Sequence, residues 1–332
     1  MGRVLVTGGA GFIGSHVADG LLARGHEVFV LDDLSGGFRE NVPAGATFVE
    51  ANIADADAVE RLFTRDRFTH VYHLAAYAAE GLSHFIKHFN YTNNVIGSVN
   101  LLNASIRSGV ELFVFTSSIA VYGTGAELPL TEAAAPHPED SYGIAKYAIE
   151  LELEACRTMF GLDYVIFRPH NVFGPRQNIG DRYRNVIGIF MNQILQGQPM
   201  TIYGDGTQTR AFSAIADVAP MMAEAIDLAA ARNQVFNIGA DTPYSLNDLT
   251  EAVAVAMGVT PHVVHLDPRI EVQHAHSSHD KIRRVFGTRP QTSLQDGLQE
   301  MAAWVRAHGA RESKPFTGIE IVKNLPTVWQ RG

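Results

Sequence analysis

The sequence has only one cysteine, Cys156, so no disulfide can form within the chain, and we expect this thiol to be a small core residue. It also lacks any apolar run close to the ~20 residues that a membrane-spanning helix needs, and its apolar N-terminus has no basic leader. Basic residues are scattered, and the net charge of −9 disfavours nucleic acid as a partner. These absences indicate a soluble, cytoplasmic protein without a membrane partner. Its 332 residues, 46% of them hydrophobic, suffice for a large core.

A glycine-rich turn near the start of the chain carries the first functional signal. The apolar run Val4–Val6 predicts a buried strand, glycines follow at positions 8, 9, 11 and 14, and an apolar helical pattern continues through Val17. Glycine lets the backbone approach a pyrophosphate closely, and the N-terminus of the helix offers free N–H groups to its negative charge. The turn therefore predicts a dinucleotide site, although a lone glycine pattern also occurs in turns that bind no ligand.

An acidic residue at the end of the second apolar run strengthens this prediction. Residues 27–31 form that run, and Asp32 follows Gly14 by eighteen residues. A carboxylate at this spacing accepts hydrogen bonds from the ribose hydroxyls of an adenosine. Because it would repel a 2′-phosphate, the sequence favours NAD over NADP as the cofactor.

Strand and helix patterns alternate through the first half of the chain. The predicted strands are 3–7, 27–31, 46–50, 70–75, 111–117 and 163–168, and the predicted helices are about 12–24, 55–65, 84–108 and 141–160. This alternation predicts an α/β fold with a Rossmann-like, doubly wound parallel sheet. Ligands of such sheets bind at the carboxyl ends of the strands, which here carry Gly8, Asp32, Asn52, 75–77, 117–118 and 170–171.

The chain becomes rich in loops after Pro169. A helix is predicted near 184–196, a strand that returns to the main sheet at 234–238, and a further helix at 246–257. The alternating tail at 319–325 predicts a short strand or an extended arm.

This change in pattern predicts two domains with the ligand cleft between them. The first is an NAD-binding domain, and the second is a smaller, discontinuous α/β domain that binds the substrate. The predicted boundaries are 1–171 and 213–239 for the first domain and 172–212 and 240–332 for the second.

A second functional signal combines a strand end with a helix. Ser118 follows a predicted strand, and Tyr142 and Lys146 stand four residues apart on one face of a predicted helix. A phenol with a pKa near 10 is a poor base at neutral pH, but an adjacent ammonium group and a positively charged nicotinamide lower that pKa. Tyr142 is thus the candidate general base, and Ser118 a hydrogen-bonding partner of the same substrate oxygen. Taken alone, such a Tyr-Lys pair is usually a solvated helix face.

Six motifs in a preserved order make the chain resemble the extended short-chain dehydrogenase/reductase family. They are Thr7–His16, His73–Ala76, Asn93–Val95, Thr116–Ser118, Tyr142–Lys146 and Arg168–Gln177. Within this family the sequence looks most like the nucleotide-sugar 4-epimerases that act on UDP-glucose or UDP-glucuronate. The resemblance implies NAD as the cofactor, a UDP-sugar as the substrate and a homodimer as the assembly.

The resemblance also implies roles for individual residues. The expected NAD contacts are Gly8, Gly11, Phe12, Ile13, Gly14, Asp32, Asp33, Asn52, Ile53, Leu74, Ala75, Ala76, Asn94, Thr116, Tyr142 and Lys146. The expected substrate contacts are Ser117, Ser118, Tyr142, Asn171, Arg182, Arg184, Arg210, Arg269 and His276. The expected catalytic residues are Ser118, Tyr142 and Lys146.

Some of these positions depart from the family pattern. Asn52 stands where the family usually has an aspartate beside the adenine, which keeps an acceptor and adds a donor. Arg210 and Arg269 match positions that grip the diphosphate, and Glu271 is the expected replacement for an acid that the pattern places at Val272.

The residues after Ser118 distinguish the reactions of this family. Its dehydratases carry Asp-Glu there, and its UDP-glucuronate decarboxylases carry a glutamate two places on, whereas this chain has Ile119 and Ala120. Without these carboxyl groups, removal and return of a hydride is the reaction that remains, which favours 4-epimerisation. Two alternatives stay open. One is a 4-ketoreductase or sugar dehydrogenase, and the other is a non-catalytic NAD-sensing protein.

The sugar itself stays open between a hexose and a hexuronate. Arg182 and Arg184 have the chemistry to hold a C6 carboxylate, and equally to face solvent or to pair with Asp181. His276 aligns with a tyrosine that limits sugar size in some epimerases, so the smaller side chain favours a bulkier hexose. No metal site is predicted, because no cysteine lies near the three histidines at 274, 276 and 279 and their spacing suits a metal poorly.

Overall fold

The computed structural model, which describes residues 2–269 and 271–330, contains a central sheet of seven parallel strands. The strands are β1 (Arg3–Thr7), β2 (Glu27–Asp32), β3 (Thr47–Glu50), β4 (His70–His73), β5 (Leu112–Thr116), β6 (Asp163–Pro169), β7 (Val172–Phe173), β8 (Met200–Tyr203), β9 (Thr209–Ala211), β10 (Ser213–Ala214), β11 (Gln234–Ile238), β12 (Pro243–Ser245), β13 (Val263–Leu266) and β14 (His274–Ala275). The order across the central sheet is β11-β6-β5-β4-β1-β2-β3. This order confirms the predicted doubly wound sheet, including its return strand.

The longest helix carries the predicted tyrosine and lysine. The helices are α1 (Phe12–Ala23), α2 (Ala56–Asp66), α3 (Glu80–Ser83), α4 (Lys87–Tyr91), α5 (Gly97–Ser108), α6 (Ser141–Phe160), α7 (Val186–Leu195), α8 (Ile215–Glu224), α9 (Leu246–Met257), α10 (Asp280–Phe286), α11 (Leu294–His308) and α12 (Thr327–Gln330). The carboxylate of Asp140 caps α6 by accepting a hydrogen bond from the N–H of Gly143 at 2.8 Å. None of these helices, in the part of the chain that the structure describes, is both long and apolar enough to cross a membrane.

Helices cover both faces of the sheet because strand side chains alternate between the faces. In β5, Leu112 and Val114 face a core closed by α1, α8 and α10, whereas Phe113 and Phe115 face a core closed by α2, α5 and α6. All four side chains are buried, which explains why the strand is a continuous apolar run in the sequence. The result is a three-layer α/β/α arrangement in which the carboxyl ends of the strands share one edge.

A separate apolar core joins α7, α9 and α11 to β8. Phe190, Met191, Leu249, Leu298 and Met301 are fully buried in it. This core belongs to the region predicted to bind the substrate, and the exact domain boundaries stay a prediction.

The helix predicted over 84–108 is present from Lys87 to Ser108, but a π-helical turn interrupts its regular α-helical geometry. The chain there forms α4, then a π-helical turn at Thr92–Ile96, and only then α5. The interruption has a local cause, because the amide of Asn94 bonds to the backbone outside the helix. It donates to the carbonyl oxygen of Tyr77 at 3.1 Å and accepts from the N–H of Tyr77 at 3.0 Å. The turn therefore fixes the loop that follows β4.

The tail predicted as a strand or an arm is an arm. We call residues 312–329 the C-terminal arm. The N–H of Glu320 donates to the carbonyl oxygen of Phe85 at 2.8 Å, and its carboxylate accepts from the N–H groups of His88 and Phe89 at the start of α4. Ile319 and Leu325 of this segment pack in a cluster with aromatic side chains of this region, such as Tyr77 and Phe85, whereas Ile321 is exposed. The arm therefore covers the segment between β4 and α5.

Candidate active site

The glycine turn and the start of α1 form a cradle at the edge of the sheet. Gly8 has a φ of +70°, and a Cβ there would lie 2.6 Å from the backbone nitrogen of Ala75. A Cβ on Gly14 would lie 2.1 Å from the carbonyl oxygen of Gly8, so only glycine lets helix and turn approach this closely. No side chain caps α1, and its first turn has no acidic residue. Its N–H groups therefore stay available to an anion, and the cradle fits the pyrophosphate of a dinucleotide.

Two neighbouring carboxylates lie at the end of β2. Asp32 accepts hydrogen bonds from the N–H groups of Leu34 at 2.8 Å and Ala10 at 3.1 Å, which tie the glycine turn to the strand. Burial raises the pKa of Asp32, and these two hydrogen bonds oppose the change. Asp33 accepts a hydrogen bond from the amide of Asn52 at 2.9 Å. An aspartate at position 52 would repel Asp33, so the departure from the family pattern suits this arrangement.

Ser118, Tyr142 and Lys146 lie together where β5 ends and α6 begins. The Lys146 nitrogen lies 5.8 Å from the centre of the Tyr142 ring and donates to the carbonyl oxygen of Thr116 at 2.8 Å. The hydroxyl of Ser118 accepts a hydrogen bond from the N–H of Ala120 at 3.1 Å, and its interaction with the Tyr142 phenol lowers the pKa of that phenol. The structure thus brings together the three residues that the sequence predicts to be catalytic.

Burial controls the protonation of both titratable groups. It raises the pKa of Tyr142 above its ordinary value of 10, the Glu80 carboxylate raises it further, and the hydrogen bond with Ser118 opposes the change. Burial lowers the pKa of Lys146 to about 7, which Glu150 opposes. The sequence predicts that Lys146 lowers the pKa of the phenol. That prediction is made with a nicotinamide bound and stays a prediction. In the chain by itself, burial raises the pKa of Tyr142 and lowers that of Lys146.

The buried lysine yields a prediction about stability. We expect Lys146→Met to raise the melting temperature more at pH 6 than at pH 9. The folded-state pKa of about 7 lies below the ordinary value of 10.5. Protonation therefore opposes folding, with a cost that is complete below the folded pKa and shrinks as the pH rises towards the ordinary value. Methionine fills a similar volume without a charge.

Differential scanning calorimetry at both pH values measures this difference. Lys314→Met, at a position where the lysine side chain is 78% exposed, is the matched control and should show no such pH dependence. An equal gain at both pH values, or a loss at pH 6, would contradict the cost assigned to the buried charge.

A buried ion pair supports the three residues from behind. Arg168 donates two hydrogen bonds to the carboxylate of Glu150, the one from Nε at 3.0 Å, and their side chains are 5% and 3% exposed. Ser117 donates its hydroxyl to the same carboxylate. Glu150 also favours the protonated form of Lys146, one turn away on α6. Ser117, a predicted substrate contact, lines the cavity, but its hydroxyl already donates a hydrogen bond to the Glu150 carboxylate.

A cavity of about 1880 Å³ joins the glycine cradle to the three catalytic candidates. Every predicted site residue lines it except Asn94 and His276. Asn94 is buried and supports the wall by holding the backbone of Tyr77. His276 follows β14 and does not line the cavity, and its carbonyl oxygen accepts a hydrogen bond from the N–H of Leu130 at 3.0 Å. This placement gives no support to the predicted role of His276 in limiting sugar size.

Arg210 and Arg269 converge on Glu271 in the cavity wall. The guanidinium nitrogens of Arg210 and Arg269 lie 3.9 Å and 3.4 Å from the Glu271 carboxylate. Arg269 also lies 3.9 Å over the ring of Tyr203. Two guanidinium groups that a shared carboxylate aligns are suited to the oxygens of a diphosphate, as the sequence predicts.

Arg184 already has a carboxylate partner. Its Nε donates to Asp181 at 2.7 Å, and its guanidinium lies 5.0 Å from the centre of the Tyr77 ring. Arg182 lines the same cavity, with its guanidinium 5.9 Å from the centre of the Tyr183 ring. Of the arrangements that the sequence leaves open for Arg184, the structure has the ion pair with Asp181.

The histidines near the C-terminal end of the fold do not share one site. His274 hydrogen-bonds Thr209 at 2.9 Å, whereas His279 hydrogen-bonds Asp241 at 2.7 Å and His170 at 3.1 Å. Within residues 2–269 and 271–330, no group of three or more His, Cys, Asp and Glu side chains is arranged to hold a metal ion.

Sequence patterns do not single out Glu80 and Asp140, two of the carboxylates that line the cavity. Glu80 begins α3, and Asp140 caps α6. The surrounding cavity walls raise the pKa of both, although Glu80 itself stays exposed to the cavity. The signal for Glu80 was its position in the segment that leaves β4 at the ligand edge of the sheet. The signal for Asp140 was its place directly before the helix of Tyr142, where an N-cap is expected.

Comparison with known proteins adds to this geometry. The chain matches the NAD dependent epimerase/dehydratase family over residues 4–239. It is 35% identical to the UDP-glucose 4-epimerase of Mycolicibacterium smegmatis over 311 residues, which cover 92% of this chain and 98% of that protein. The Thermotoga maritima UDP-glucose 4-epimerase with UDP-glucose is 36% identical with a TM-score of 0.88, at 92% and 99% coverage. The Bacillus cereus UDP-glucuronic acid 4-epimerase in complex with UDP-glucuronic acid and NAD is 28% identical with a TM-score of 0.84, at the same coverage.

Proposed function

The chain belongs to the NAD dependent epimerase/dehydratase family, with NAD as its cofactor, and on this premise we propose that it inverts C4 of a UDP-sugar. The observation that carries the proposal is the meeting of Ser118, Tyr142 and Lys146 at the wall of the cavity that also contains the glycine cradle. The 3₁₀ turn that follows Ser118, Ile119–Tyr122, brings no carboxyl group to this point, which favours epimerisation over dehydration.

Three residues of the chain transfer the proton and stabilise the charge that develops in the reaction. Tyr142 accepts the proton of the C4 hydroxyl and later returns it. Ser118 hydrogen-bonds the same oxygen and stabilises the charge that develops on it. Lys146 lies beside the phenol, and its pKa of about 7 lets it gain or lose a proton near neutral pH. When bound, the nicotinamide takes up the C4 hydride and gives it back.

The size of the cavity supports a reaction that needs the sugar to turn over. Inversion requires the 4-keto sugar to present its other face, so the site must hold two nucleotides and leave room for rotation about the diphosphate link. A volume of about 1880 Å³ exceeds the roughly 300–1,000 Å³ of ordinary single-ligand pockets. Arg210 and Arg269 hold the diphosphate while the sugar turns.

Proton NMR of the purified protein with UDP-glucose, and separately with UDP-glucuronate, tests the proposal without added reductant. We expect the anomeric and H4 signals of the galacto epimer to appear from at least one sugar. Reduction of NAD without an epimer would instead indicate a dehydrogenase or ketoreductase. NAD binding with no change in either sugar would indicate an NAD-sensing protein.

The homodimer stays a prediction. Exposed apolar side chains on two helical segments support it. Ile96, Ile144 and Leu151 are 51%, 43% and 48% exposed, and they belong to the two helical segments that this family commonly pairs. A second copy of the chain would remove this apolar surface from water.

A further inference from the structure

Glu80 presents a carboxylate to the cavity from the first position of α3. It lines the cavity and is accessible from it. No side-chain or backbone group among the described residues donates a hydrogen bond to this carboxylate, and it forms no ion pair there. The group is therefore available to a ligand.

The backbone of Glu80 is coupled to that of Tyr142 through one side chain. The hydroxyl of Ser83 donates to the carbonyl oxygen of Glu80 at 2.6 Å and accepts from the N–H of Tyr142 at 3.2 Å. This bridge holds the start of α3 against the start of α6. The backbone of Glu80 is thus held near that of Tyr142, and both residues line the same cavity.

Glu80 shares the cavity wall with Tyr142, Arg210 and Arg269, and it interacts electrostatically with all three. Its carboxylate raises the pKa of the Tyr142 phenol. Arg210 and Arg269 lower the pKa of that carboxylate. Glu80 therefore interacts with both the proposed proton acceptor and the arginines proposed to hold the diphosphate. A hexose that joins a diphosphate to a C4 oxygen at Tyr142 has to occupy the same span.

We propose that Glu80 is a specificity-determining residue that faces the hexose and selects a C6 alcohol over a C6 carboxylate. This inference rests on the proposed 4-epimerisation of a UDP-sugar and names its substrate class as a neutral hexose. A carboxylate accepts hydrogen bonds from sugar hydroxyls, whereas a uronate in the same span brings a second negative charge to it.

Three arginines of the cavity already have acidic partners with which a uronate would compete. Arg184 is paired with Asp181, and Arg210 and Arg269 share Glu271. A uronate carboxylate would have to compete with these acidic partners for a guanidinium group. Specificity here arises from the repulsion between Glu80 and a uronate as well as from the hydrogen bonds that Glu80 accepts from sugar hydroxyls.

The selectivity should change with pH. The cavity walls around Glu80 raise the pKa of its carboxylate, although the residue stays exposed to the cavity. Asp140 and Glu271 raise this pKa as well, and Arg210 and Arg269 oppose the change. Glu80 thus carries more negative charge at pH 8 than at pH 6. Tyr142 and Lys146 also titrate in the site, but they serve both sugars, so their effects cancel in a ratio. We expect the preference for UDP-glucose over UDP-glucuronate to be larger at pH 8 than at pH 6.

The experiment compares kcat/KM for the two sugars in the holoenzyme and in Glu80→Gln, at pH 8 and pH 6. At pH 8 we expect Glu80→Gln to shift the ratio towards UDP-glucuronate by about tenfold, the size of one like-charge contact in a partly solvated site. The ratio of the variant should no longer depend on pH. Glu139→Gln is the matched control, because it removes the same charge from the cavity wall where the carboxylate is occupied by Thr124.

Each result either supports or overturns the inference. An unchanged ratio in Glu80→Gln, with UDP-glucose still epimerised, would overturn it and leave the proposed function intact. A wild-type preference for UDP-glucuronate would also overturn it. If neither sugar is epimerised, the proposed function fails. Calorimetric binding of both nucleotides to Tyr142→Phe, with and without Glu80→Gln, then decides the selectivity, and equal binding ratios would overturn it.

Discussion

Tyr142→Phe is expected to lower kcat for epimerisation by about 10²–10⁴-fold, the usual contribution of a positioned acid or base. The substitution removes the phenolic oxygen, which is the group that takes the C4 proton, and keeps the ring that is buried against the cavity wall. Coupled assay of the epimer measures kcat, and calorimetric titration with NAD measures cofactor binding. We expect the affinity for NAD to change by less than about twofold, because the glycine cradle and Asp32 are untouched.

The matched control is Tyr147→Phe on the same helix. Tyr147 packs beside the cluster of Val121 and Tyr122 and does not line the cavity, so its hydroxyl should be dispensable for turnover. An undiminished kcat in Tyr142→Phe would contradict the assignment of the proton acceptor. A lower kcat reports lost proton transfer only if the variant is folded, which its melting temperature shows. Phenylalanine is chosen because it preserves the packing of the ring.

Glu150→Ala is expected to lower the free energy of unfolding by about 3–5 kcal/mol, the usual cost of breaking a buried ion pair from one side. Removing the carboxylate leaves Arg168 charged and buried, with its side chain only 5% exposed, and takes the acceptor from Ser117. It also removes the negative charge that favours a protonated Lys146. Urea unfolding followed by circular dichroism measures the change.

Two further variants separate the unpaired charge from other effects. Glu152→Ala lies on the exposed face of the same helix and should cost less than about 0.5 kcal/mol. Glu150→Ala combined with Arg168→Met removes both charges, so much of the lost stability should return. If the double variant is no more stable than Glu150→Ala, the loss comes from packing and not from the unpaired guanidinium.

The central sheet could be predicted from the sequence because its signals are local and periodic. Strands that are buried on both faces are short apolar runs, and most of them are followed by a helix pattern. Strands such as β5 and helices such as α6 are therefore found within one or two residues. The cradle was predictable for a related reason. Its glycines at 8 and 14 are required by backbone approaches that any side chain would block.

The interrupted helix shows why other parts could not be predicted. The pattern over 84–108 is apolar enough for one helix, but Asn94 bonds to Tyr77, a residue outside that pattern. Such a contact exists only after the loop that follows β4 has folded. The C-terminal arm depends on the same kind of contact, because its Glu320 caps α4 far away in the sequence.

The electrostatics of the site lie beyond the sequence for a different reason. The Tyr-Lys spacing places two side chains on one helix face, but it says nothing about how deeply they are buried. In the chain by itself, burial raises the pKa of Tyr142 and lowers that of Lys146 to about 7. The carboxylate of Glu80, which contributes to the first change, reaches the site from a separate helix.

The proposed reaction returns to C4 the same hydride that it removes, and UDP-glucose carrying deuterium at C4 tests this most directly. The purified protein should convert it to UDP-galactose that keeps the deuterium at C4, with no reduced nucleotide released to solution. Mass spectrometry and proton NMR of the reaction mixture at equilibrium measure the deuterium kept at C4 and the reduced nucleotide released. Loss of the label to solvent, or release of deuterated NADH with a 4-keto product, would contradict 4-epimerisation.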